Sequence, residues 1–288
     1  MPPLTANDAP SLTLTAPDGA SARVYLDGAH VASWIPAGGP TSGDEQLFVS
    51  ARALYGPGYA IRGGIPICWP QFGKTGPLQQ HGFSRLMRWS VVRESVDAQG
   101  AHAILRLTDT DETLAVWPFS FNAELAVSVG ARTLRVELTV TNTDAQPMEF
   151  TAALHPYFRV RDALAVDVLG LEGCRYRDAL QGGAEFTEAK GALRIPGPID
   201  RVYLDTPSQV ALREPHRTLR IIKSGFPETV VWNPGADAIK TFPDLPADAW
   251  QRFVCLEAAN CGDDVIELGP DDSHVLQQTI ACNALIQH

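Results

Sequence analysis

No aspartate or glutamate occurs between Glu45 and Glu94. At the chain's average density, 33 acids in 288 residues, about five or six would fall in residues 46–93. The same window carries Arg52, Arg62, Lys74, Arg85, Arg88 and Arg93. The chain as a whole is acidic, with a formal net charge of -10, which argues against general binding to nucleic acid or to an anionic membrane. A local reversal of sign is what an anionic small molecule would need. Arginine suits such a ligand, because its planar fork donates two parallel hydrogen bonds to a phosphate or carboxylate. Gly63 and Gly64, beside Arg62, are expected to let backbone N–H groups approach the same anion.

Other absences narrow the chemistry. The five cysteines, Cys68, Cys174, Cys255, Cys261 and Cys282, are scattered and form no CxxC pair, so neither a disulfide framework nor a cysteine zinc site is indicated. No HxH, HExxH or clustered carboxylates mark a metal site, and no GxSxG marks a serine nucleophile. Neither GxGxxG nor GxxxxGK[ST] is present to cradle a nucleotide. No apolar run is long enough to span a bilayer, and the opening residues show no secretory pattern. A cytoplasmic monomer, with no membrane or nucleic-acid partner, is expected.

What the chain does have is alternation. In FNAELAVSVG, Phe121, Ala123, Leu125, Val127 and Val129 fall on one side. In TLRVELTVTN, Leu134, Val136, Leu138 and Val140 do the same. Further candidate strands are SLTLTAP, ARVYLDGAHVASW, AHAILRLTDT, RTLRIIKSG and SHVLQQTIAC, bounded by Gly, Pro, Asp or Asn turns. Helical patterns are scarce, with a short turn of helix expected only in DLPADAWQRF. An all-β fold, a large antiparallel β-sandwich, is expected. Residues 1–10 read as a loose tail and 11–288 as one domain.

Two segments could carry acid–base chemistry. In MEFTAALHPYF, alternation puts Met148, Phe150, Ala152 and Leu154 on one face and Glu149, Thr151, Ala153 and His155 on the other. Pro156 stops the strand, leaving His155 on the polar face at a strand end, where a histidine that merely ends the strand would give the same pattern. In FVCLEAANCG, Glu257 follows the apolar run Phe253–Leu256 directly. A carboxylate against an apolar strand is desolvated, which raises its pKa and makes it a better base near neutrality. The alternative is that Glu257 is only the first exposed residue after the strand. His81 lies inside the basic window, in QHGFSR.

Taken together, IRGGIPICWPQFG, QQHGFSR, ALHPYF and FVCLEAAN resemble the glucose-6-phosphate 1-epimerases, or hexose-6-phosphate mutarotases, of the aldose 1-epimerase (galactose mutarotase-like) superfamily. GPIDRVYLDT and VVWNP resemble further segments of that family, and the matches run in order from about residue 60 to 260. The resemblance implies a β-supersandwich, no metal or organic cofactor, and interconversion of the anomers of a hexose 6-phosphate, glucose 6-phosphate foremost. It implies His155 as general acid and Glu257 as general base, with Arg62, His81 and Asp200 lining the sugar site. It places Arg85 at the 6-phosphate, a role Arg62 is expected to share. A free-sugar aldose 1-epimerase and a non-catalytic carbohydrate-binding module on the same scaffold are the alternatives.

Overall fold

Alternation with period two becomes two large antiparallel sheets in the computed structural model, which describes residues 2–38 and 43–284. One sheet has nine strands, in the order Leu193–Arg194, Asp167–Leu169, Gln209–Glu214, Arg217–Ser224, Ser273–Ala284, Thr133–Asn142, Phe121–Gly130, Ala101–Thr108 and Ser90–Val96. Its centre follows the sequence closely. Phe121–Gly130 and Thr133–Asn142 pair through a two-residue turn, and their apolar sets are buried while the residues between are more exposed. A side-chain period of two allows no other register once one face is committed to the core.

The other large sheet has eight strands. Along its main path lie Ala184–Thr187, Arg175–Asp178, Ile199–Tyr203, Glu228–Asn233, Phe253–Asn260, Ala152–Leu154 and Ile67–Cys68, and Tyr157–Arg159 also pairs with Phe253–Asn260. Leu154, Val231, Val254, Leu256 and Ala258 enter the main core together with Leu125, Val136, Leu138 and Leu276 of the nine-stranded sheet. All eight residues of Phe253–Asn260 are buried. This strand is covered on both faces, which is why its sequence reads as an apolar run instead of an alternation. A three-stranded sheet of Ser11–Thr15, Ser21–Tyr25 and His30–Ile35 adds Leu14, Val24, Val31 and Trp34 to the same core.

Three readings need adjusting. Residues 4–10, where a loose tail is the expectation, touch the body of the protein. Leu4 N–H donates to Tyr55 O, Tyr25 O–H donates to Ala6 O, Leu26 N–H donates to Pro10 O, and Ala9 packs with Tyr25, Tyr55 and Ile61. A short helix at Asp111–Val116 has no apolar stripe to announce it. It is held by a capping box in which the Thr110 and Thr113 side chains each bond the other's backbone N–H. The expected turn in DLPADAWQRF is a single 3₁₀ turn, Ala249–Arg252.

The third adjustment concerns the glycines of the basic window. Gly64 donates its N–H to Phe48 O at 2.7 Å, so that group is already used. What the glycines provide is close packing. A Cβ on Gly63, at φ +112°, would lie 2.2 Å from Phe48 O and 2.5 Å from Val49 Cα. Gly63→Ala is therefore expected to destabilise the protein by at least about 1–3 kcal/mol, the usual cost of a forced backbone conformation. Urea unfolding measures it, and an unchanged midpoint would mean that the loop moves freely away from Phe48.

Candidate active site

Strand register brings the two candidate catalytic residues together. Leu154 pairs with Ala258, and Tyr157 pairs with Cys255. The same register carried through the gap sets His155 opposite Glu257 and Pro156 opposite Leu256. Pro156 has no N–H to donate, so the ladder breaks there without losing step. His155 turns its own N–H to Pro66 O at 3.2 Å. Its Nε2 lies 3.2 Å from Glu257 Oε1, and both residues are almost fully buried, at 7% and 2% exposure.

Two expectations change here. His155, expected on the polar face at a strand end, is buried in the interior. Glu257 is not the end of its strand: the strand continues to Asn260, and Glu257 sits in its middle. Its side chain points away from the sandwich core. Cys68, Ala153, Val230 and Ala259 form a small apolar cluster on that outer face, with Phe72, Val202 and Trp232 packed against it.

Rings hold the histidine. Tyr157 stacks on His155 at 4.9 Å with 9° between the planes, and His81 and Trp232 meet it edge-on at 5.7 and 6.1 Å. His155 Nδ1 and Glu257 Oε2 have no hydrogen-bond partner among the described residues. Burial pushes His155 well below its ordinary value, helped by His81 and by the positive charge of Arg85 and Arg62. Burial and the nearby Asp200 carboxyl push Glu257 well above the ordinary carboxylate range. Asp200, opposite Trp232 on the neighbouring strand pair, is itself raised by burial and by Asp178. Both shifts favour the uncharged forms, imidazole and carboxyl, over the ion pair.

The basic window resolves into paired and unpaired arginines. Arg88 is bidentate to Asp27 at 2.6 and 3.0 Å, and Arg52 reaches Leu245 O at 3.4 Å. Arg62 donates from Nε to Asp244 Oδ2 at 2.9 Å and from Nη1 to the Tyr157 hydroxyl at 3.1 Å, and it lies 5.1 Å from the Phe242 ring centroid. The acid-free segment is therefore partly neutralised by two acids from outside it, Asp27 and Asp244. Arg85 is different. Its Nη2 donates to Gln80 O at 2.7 Å, its buried Nε has no partner, and it joins no carboxylate among the described residues. His81 sits at φ +68° and accepts the Gly73 N–H at Nδ1, 3.3 Å away. Burial, then Arg85 and Arg62, push it down to about 3. It is neutral, with Nδ1 accepting from Gly73 and Nε2 lying 3.3 Å from Gln80 Nε2.

Tyr157, Asp244, Phe242 and Cys255 escaped the sequence reading. Tyr157 carried a signal, since it lies two residues beyond His155 and so on the same face. Asp244 carried none, because its partner Arg62 is distant in the chain. Cys255 likewise shares a face with Glu257, and donor atoms of His155, Cys255 and Glu257 all lie within 4.8 Å of one another.

The chain matches the aldose 1-epimerase family model over residues 10–281, a span that includes every residue of the candidate site. It belongs to the aldose 1-epimerase family. Among family relatives, a "Putative glucose-6-phosphate 1-epimerase" of Cenchrus ciliaris is 38% identical over 248 residues, covering 83% of this chain and 74% of that protein. A protein of the same name from Escherichia coli K12 is 36% identical over 243 residues, covering 83% of this chain and 79% of the relative. The crystal structure of "a putative mutarotase (YeaD)" from Salmonella typhimurium superposes with a TM-score of 0.88 at 30% identity, covering 98% of this chain and 93% of that one. The all-β sandwich of this aldose 1-epimerase family member is thus shared with a solved structure along nearly its whole length. Among the described residues no helix is long and apolar enough to cross a membrane.

Proposed function

We propose that this protein interconverts the α and β anomers of hexose 6-phosphates, glucose 6-phosphate foremost, by acid–base opening and reclosure of the sugar ring. The observation that carries the reading is the buried His155–Glu257 contact at 3.2 Å, with a guanidinium close by, Arg85, that pairs with no carboxylate among the described residues. The names of the relatives support the same substrate class.

The ring opens when one group takes the proton of the C1 hydroxyl and another protonates the ring oxygen. Glu257 is the base and His155 the acid. This requires the pair's single proton to sit on His155 when substrate is bound, whereas the empty site favours it on Glu257. The phosphate supplies the change. A dianion on Arg85 and Arg62 offsets the positive charge that disfavours imidazolium, and the proton crosses the short contact from Glu257 to His155. Glu257 then takes the C1 proton while His155 donates to the ring oxygen. The C1–C2 bond rotates in the open aldehyde, and closure on the other face returns both protons. The pair begins and ends with one proton, so no external acid or base is consumed. Neutral His81 and Asp200 serve the ring hydroxyls.

The reading predicts the pH profile. The pair is competent only with one proton: with two the base is lost, and with none the acid is lost. Burial and like charge depress the first limit well below the ordinary histidine value of 6.5, and burial with Asp200 raises the second well above the ordinary carboxylate value of 4.5. kcat/KM, corrected for ionisation of the substrate phosphate, is expected to show no acid limb at the ordinary histidine value. A limb at 6.5 would mean that His155 titrates on its own. The direct test follows equilibration of α-glucose 6-phosphate and of free α-glucose with and without the protein. Acceleration of free glucose alone would favour a free-sugar epimerase, and acceleration of neither a non-catalytic sugar-binding module.

A further inference from the structure

Cys255 has no part in the anomerisation chemistry, yet it lies beside it. It precedes Glu257 by two residues on the same strand, hence on the same face, and its register partner is Tyr157, the neighbour of His155. The three donor atoms, one imidazole nitrogen, one sulfur and one carboxylate oxygen, fall within 4.8 Å of one another, and all three residues are buried. His155 Nδ1 and Glu257 Oε2 are unpartnered among the described residues. A tetrahedral Zn²⁺ holds nitrogen and oxygen at about 2.0–2.2 Å and sulfur at about 2.3 Å, so its ligand atoms stand roughly 3.3–3.8 Å apart. The His155–Glu257 contact, at 3.2 Å, already has nearly that spacing, and the sulfur lies within 4.8 Å of both partners. One thiolate and one carboxylate together neutralise a dication, which removes the main obstacle to burying it. Sulfur with imidazole selects Zn²⁺ or Co²⁺ over Mg²⁺ or Ca²⁺.

We propose that His155, Cys255 and Glu257 form a binding site for a soft divalent cation, which silences the enzyme by occupying its acid–base pair. On binding, the Cys255 thiol proton, and the proton shared by His155 and Glu257, pass to solvent, and the three freed donor atoms bond the cation. The inhibition rests on the anomerase reading, but the binding does not.

The test is a Co²⁺ titration of the chelator-stripped protein, followed by absorption. A thiolate-to-cobalt charge-transfer band in the near ultraviolet is expected, saturating at about one equivalent and abolished by Zn²⁺. Cys255→Ser should lose the band and need at least about tenfold more Zn²⁺ for half-inhibition, while retaining metal-free anomerase activity. Cys255→Ala serves if serine is not tolerated in this apolar setting. Absence of the band in the wild type overturns the proposal without any variant. So does a band that survives in the Cys255 variants, or Zn²⁺ inhibition that is equal with and without the thiol. Should the wild type lack anomerase activity altogether, the reading of the preceding section fails, and the cobalt band still decides the cation site.

Discussion

Glu257→Gln is expected to lower kcat/KM for glucose 6-phosphate anomerisation by roughly 10²–10⁴-fold, the usual contribution of a positioned acid or base. The amide has the shape of the carboxyl group but cannot accept the C1 proton or hold the pair's shared proton. The fold should persist. Glu257 lies in a fully buried strand, and in the empty protein burial and Asp200 favour the neutral form of its carboxyl. The substitution therefore leaves no charge unpaired, which is the circumstance that makes deletion of a buried ionic partner costly. Unfolding midpoints should be equal or slightly higher. Anomer equilibration at the native rate by a folded Glu257→Gln protein would remove Glu257 from the mechanism, and the base would have to be sought at Asp200.

Arg85→Ala is expected to reduce kcat/KM for glucose 6-phosphate roughly ten- to a hundredfold, corresponding to about 1.5–3 kcal/mol for a charge-assisted hydrogen bond. Residual turnover of free glucose should hold or rise. The asymmetry has two sources. Free glucose has no phosphate to lose contact with. In addition, Arg85 is one of the charges that disfavour imidazolium at His155, so its removal eases the acid's task when no dianion is present. Arg62 offers a weaker contrast, because Asp244 and Tyr157 already occupy two of its donors. The comparison needs kcat/KM on both substrates. Equal losses on the two would mean that Arg85 is not a phosphate contact, and the free-sugar reading would then be the better one.

Much of this was legible in the chain itself. Period two in Phe121–Gly130 and Thr133–Asn142 fixed both the strands and their buried faces, because a pleated strand sends alternate side chains to opposite sides. The same rule placed His155 on the face opposite Leu154, and Pro156 marked the break in the ladder. The missing acids of residues 46–93 pointed to the segment that carries Arg62, His81 and Arg85. Alternation failed at Phe253–Asn260, because a strand covered on both faces has no polar side to show, and there Glu257 read as an end when it is a middle. Periodicity assigns a face but not a partner. That His155 meets Glu257, that Asp244 neutralises Arg62 while no carboxylate among the described residues reaches Arg85, and that Cys255 joins the pair were decided only by strand register and loop packing between distant segments, since no local pattern records which strand will lie beside which.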